Sequence, residues 1–81
     1  MTNIEQFIKD VLEEVTGETI EDNGLPLLEE EMLDSMSILF LVSEIEDKYA
    51  IQVPMEDVVE DNFKNIESIV DYVNKKININ N

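Results

Sequence analysis

Apolar residues recur at three- and four-residue intervals in three separate stretches, the spacing of helices that each bury one face. In the first, Ile4, Phe7, Ile8, Val11, Leu12 and Val15 share one side of a helix predicted over about residues 3–15. Thr2 and Glu5 stand at capping-box spacing before it, and Gly17 supplies a left-handed stop. In the second, Ile38, Leu41, Val42, Ile45 and Tyr49 form a stripe on a helix that begins near Ser35. In the last, Ile66, Ile69, Val70, Val73 and Ile77 follow Asn65, a candidate N-cap, while Lys75 and Lys76 are placed to complement the C-terminal end of the helix dipole. Residues 78–81 are expected to fray.

The connecting stretches have a different character. Residues 18–32 contain Asn23-Gly24 and Pro26, which suit turns, so a long loop is expected, pinned over the core by Ile20, Leu25, Leu27 and Leu28. Gln52-Val53-Pro54 favours extended chain, and residues 55–60 are expected to form a short helix with Val58 and Val59 turned inward. No segment alternates with the period of a strand. The pattern predicts an all-α, four-helix bundle of three long helices and one short one, with a long loop between the first and second, in a single domain of residues 1–81.

The second helix holds more apolar residues than one stripe can use. At about 100° per residue, Met36 and Phe40 point away from that stripe, in line with Ser43 and Asp47, and Leu39 lies at its margin. With Glu46 beside them these residues read as a docking patch, an apolar centre with an acidic rim. The plainer alternative is that the long loop covers them.

Composition narrows the chemistry. Eighty-one residues can bury one core but leave no room for a deep catalytic cleft. The absence of cysteine and histidine excludes disulfides, thiolate nucleophiles, imidazole bases and the commonest zinc ligands. Twenty acidic residues against five lysines give a net charge of −15, which repels nucleic acid and anionic membrane and steers the chain toward basic protein surfaces. Its apolar runs are too short to span a bilayer, and residues 1–5 lack the features of a signal peptide, so a cytoplasmic protein without membrane insertion is expected.

Asp34-Ser35, at the mouth of the second helix, is the one candidate for chemistry. Either residue makes a good N-cap, which is the structural reading. A serine hydrolase is excluded without histidine, and neither a Gly-x-Ser-x-Gly elbow nor a Ser-x-x-Lys arrangement is present, so no enzymatic activity is expected. What remains is a serine that another enzyme modifies. A phosphate ester there would meet free amides and the positive end of the dipole, and Asp34 could help hold a magnesium ion during the transfer. A calcium-binding loop is a weaker alternative: Glu21, Asn23, Gly24 and Glu30 fit EF-hand spacing, but Thr19 cannot supply the first carboxylate, so no metal site is expected.

The run Met32-Leu33-Asp34-Ser35-Met36, the apolar helix ending Glu44-Ile45-Glu46-Asp47-Lys48-Tyr49, and then Ile51-Gln52-Val53-Pro54, Phe63-Lys64-Asn65-Ile66 and Ile69-Val70-Asp71-Tyr72-Val73 resemble the acyl carrier proteins over nearly the whole chain. The resemblance implies that Ser35 carries 4'-phosphopantetheine, installed from coenzyme A by a magnesium-dependent phosphopantetheinyl transferase with Asp34 in support. It further implies a monomer whose second helix is the recognition helix for a loading ligase and for acyl-processing enzymes with basic surfaces. Cargo would ride as a thioester, and long chains would shelter near Ile38, Leu41, Val58 and Ile66. The implied function is acyl carriage for fatty acid or specialised, polyketide-like biosynthesis; the alternative is an aminoacyl carrier, D-alanyl or peptidyl, loaded by an adenylating ligase. Two departures weigh against the fatty-acid members: Glu31-Met32-Leu33 stands where they usually carry a glycine before the Asp-Ser pair, and Phe40 stands in place of an acidic residue. Leu33-Asp34-Ser35-Met36 looks more like the D-alanyl carriers.

Overall fold

The computed structural model describes residues 3–80. In chain order it contains α1 (Ile4–Thr16), α2 (Ser35–Tyr49), a 3-10 turn (Met55–Asp57), α3 (Glu60–Phe63) and α4 (Ile66–Asn80). No strand occurs among the described residues, and the three long helices fall where the apolar periodicity places them.

α1 starts where the Asn3 side chain accepts the Gln6 amide at 2.7 Å. Thr2 of the expected capping box lies outside the described residues. Gly17 stops the helix at φ 77°, a left-handed conformation that costs glycine little, and its amide bonds the Glu13 carbonyl at 2.8 Å. α1 packs against both α2 and α4, burying Ile8, Val11 and Leu12 against Leu41, Ile45, Ile66, Ile69 and Val73. Each such side chain, once fully withdrawn from water, contributes roughly 1.5–3 kcal/mol.

The loop between α1 and α2 is pinned as the sequence suggests. Ile20, Leu27 and Leu33 are buried, and Leu25 and Leu28 pack partly against the core. Backbone bonds fasten it to the far end of the chain: the Leu27 amide donates to the Lys64 carbonyl at 2.8 Å, and the Glu67 amide to the Asn23 carbonyl at 3.1 Å. A turn follows, in which the Glu30 amide reaches the Pro26 carbonyl and the Met32 amide reaches the Leu27 carbonyl. Glu31 closes it at φ 57°, a conformation that costs a residue with a Cβ about 1 kcal/mol.

Two details depart from expectation. The short helix expected over residues 55–60 is instead a 3-10 turn, a break at Val58-Val59, and then the single turn of α3. Two adjacent β-branched residues disfavour a continuous helix, and Val59 is extended at φ −127°, ψ 161°. Val59 consequently faces solvent, Val58 is half-buried, and Phe63 takes the inward position. The second departure is at the C-terminus. α4 continues through residues 78–80, so Lys75 and Lys76 lie more than a turn short of its end; Lys76 instead approaches Asp57 at 3.9 Å. Asn81 lies outside the described residues. The stripe on α4 is also wider than the periodicity suggests, because Tyr72 is buried beside Phe63, their ring centroids 5.9 Å apart.

Candidate functional site at the start of helix α2

Asp34, not Ser35, is the N-cap. Its backbone is extended, its carboxylate accepts the Ser37 amide at 2.8 Å, and its carbonyl accepts the first helical amide, that of Ile38, at 2.9 Å. Hydrogen bonding from the Ser37 amide, and then from the Ser37 side chain, holds the Asp34 carboxyl below its ordinary value, so it is ionised at neutral pH. Ser35 is thereby the first residue of the helix proper, and it is exposed. Its amide and that of Met36 precede the intrahelical ladder and belong to the positive end of the dipole.

Beside Ser35 lies an open groove of about 250 Å³, lined by Ser35, Ile38, Leu39, Met55 and Val58. Two of the four residues expected to shelter a chain, Ile38 and Val58, are in its walls. The other two, Leu41 and Ile66, are fully buried in the close-packed core and contribute nothing to it.

The outer face of α2 is open. Met36 is 75% exposed, Leu39 47% and Phe40 41%, with Ser43 and Asp47 also exposed, so the loop does not cover them. Glu46 differs from these five. It is half-buried, and its carboxylate accepts the Val53 amide at 2.8 Å, bracing the chain that leaves α2 instead of standing free on the rim. Periodicity could not reveal Met55, which is exposed and lines the groove opposite α2; Val59 is exposed as well. A 3-10 turn of three residues is too short to carry a pattern; the signal available was Pro54 just before it.

Among the described residues no group of three or more acidic side chains is placed to hold a metal ion. Of the loop residues that match EF-hand spacing, Asn23 donates its side-chain amide to Glu5 at 3.0 Å, while Glu21 and Glu30 stand exposed. No helix among the described residues is long and apolar enough to cross a membrane.

Residues 6–73, which include the whole of this site, match the family described as the phosphopantetheine attachment site. The chain belongs to that family of carrier proteins. It is 39% identical over 57 residues to the D-alanyl carrier protein of Enterococcus faecalis, spanning 68% of this chain and 73% of that protein. A D-alanyl carrier protein of Listeria monocytogenes is 34% identical over 65 residues, 78% of this chain and 83% of that one. The acyl carrier protein of Buchnera aphidicola is 27% identical over 78 residues, 94% and 96% of the two chains. The carrier's cofactor is therefore a covalently attached 4'-phosphopantetheine. The start of α2 fits such a group, since it offers an exposed hydroxyl, helix-start amides for a phosphodiester and an apolar groove alongside. Fatty acid biosynthesis, the first function that the resemblance implied, is the less supported of the two readings, because the relatives with higher identity are named as D-alanyl carriers.

Proposed function

We propose that Ser35 bears the phosphopantetheine and that the protein carries an aminoacyl group, D-alanyl by the names of its relatives, loaded by an adenylating ligase. The observation that carries the attachment is the position of Ser35: exposed, first in the helix, and part of the groove wall. When bound, the arm supplies the thiol on which cargo is held as a thioester. The chain's own residues do the rest. The helix-start amides favour the phosphodiester's negative charge, and the ionised Asp34 is available to a magnesium ion while the transferase works. The walls formed by Ile38, Leu39, Met55 and Val58 hold no charged side chain, so they suit the apolar part of an arm and offer no counter-charge to an ammonium group. A small charged cargo stays in water at the groove mouth, where a docked enzyme can reach it.

Docking falls to Met36, Leu39 and Phe40, with Ser43 and Asp47 on the rim and Glu46 partly withdrawn. The chain's net charge of −15 draws in partners with basic surfaces, the transferase and the ligase among them, and a small apolar centre allows them to leave again. Tethering replaces diffusion by a high local concentration of cargo. The test is loading of the phosphopantetheinylated protein with ATP and a D-alanine-activating ligase. Gain of the mass of one alanyl group, released by hydroxylamine, is expected; loading with fatty acyl groups but never with amino acids would contradict the aminoacyl reading.

A further inference from the structure

One wall of the groove is held in an unusual way. The 3-10 turn that contributes Met55 has no buried residue of its own, so hydrophobic burial does little to fix it. Its last residue, Asp57, is instead tied to the α3–α4 unit by polar bonds. The Tyr72 hydroxyl donates to the Asp57 carboxylate at 2.6 Å, the Asn62 side-chain amide donates to the Asp57 carbonyl at 2.8 Å, and the Lys76 ammonium stands 3.9 Å away. Tyr72 is the rigid side of this attachment, buried on α4 against Phe63. Burial, and next the bond to Asp57, raise the Tyr72 hydroxyl far above the ordinary tyrosine value, so it remains a donor throughout the working range. The Lys76 pair is long, at 3.9 Å, and partly exposed, and adds little.

We propose that the Tyr72 hydroxyl and the Asp57 carboxylate form a latch that sets the position of the groove wall formed by Met55 and Val58 beside Ser35. This rests on the reading that Ser35 bears the arm only for its functional consequence, which is that the latch decides how closely the wall approaches the arm. The latch itself is a property of the unmodified chain. Tyr72 and Asp57 are positioning residues, because neither lines the groove.

The test compares native-state amide hydrogen exchange in the unmodified protein and in Tyr72→Phe, which keeps the ring and removes the oxygen. Loss of a charge-assisted bond is expected to speed exchange of the Asp57 and Val58 amides about tenfold while Ile8 and Leu12 of α1 remain unchanged. Methyl signals of Ile38 and Val58 should become more sensitive to a soluble paramagnetic probe, and those of the fully buried Leu41 should not. Asp57→Ala, which removes the acceptor, should give the same local pattern, and the double variant should add nothing to it, since either change alone opens the latch. Unaltered exchange at the turn, or acceleration shared equally with α1, would overturn the proposal. Failure of coenzyme A and a transferase to modify Ser35 would remove the functional consequence while leaving these exchange results standing.

Discussion

The two faces of α2 do opposite work with nearly the same residue types. On one face Leu41, Val42 and Ile45 are buried; on the other, Met36, Leu39 and Phe40 are between 41% and 75% exposed. A buried face is explained by the free energy of withdrawing it from water, but an exposed apolar face on a chain so rich in charge is not. The difference teaches that hydrophobicity in this helix has two uses, one that holds the bundle together and one that leaves an exposed face, which the docking proposed above assigns to a partner. Ser35 sits where the two faces meet the helix start.

Substitutions that separate stability from docking test the contrast. The largest effect is expected for Leu41→Ala, which leaves a cavity in the core and should lower unfolding free energy in urea by about 2–5 kcal/mol. Phe40→Ala should behave in the opposite way. Stability should change by no more than about 1 kcal/mol, while the apparent KM of the loading ligase rises about fivefold, equal to ~1 kcal/mol of lost contact. Equal losses of stability for the two variants would erase the distinction between the faces.

The smallest effect concerns the helix start. The Ser37 amide keeps the folded-state value of the Asp34 carboxyl below the ordinary 3.8. Its contribution to stability is thus fully present above 3.8 and disappears as pH falls through the lower folded-state value. Because Asp34 is fully exposed, the contribution is small. Thermal melts of the protein and of Asp34→Ala should differ at neutral pH and converge in strong acid; a gap that persists there would mean that something other than the charged cap separates them.

The three long helices were legible in the sequence because thirteen to fifteen residues are enough for a three-and-four spacing to repeat. The outward direction of Met36 and Phe40 followed from the same geometry. Between α2 and α4 the extended approach to Pro54 and a short helical piece were legible, but the division of that piece into two turns was not, since it is set by the extended Val59 and by contacts with α4 that no local pattern encodes. Tyr72 escaped the stripe on α4 for a related reason: its ring belongs to the core while its hydroxyl reaches across to Asp57. Glu46 looked like a rim charge, and only the tertiary fold shows that the Val53 amide claims its carboxylate. For Ser35, a local sequence could offer a cap or a modified serine; the cap turned out to be its neighbour Asp34.

The central claim is that Ser35 is the attachment point, and intact-mass measurement tests it most directly. After incubation with coenzyme A, magnesium and a transferase of broad specificity, the protein should gain roughly 340 Da, the mass of one phosphopantetheine. Ser35→Ala, treated identically and still folded by its helical circular dichroism, should gain nothing. The same gain in Ser35→Ala, or none in the unaltered protein, would contradict the claim.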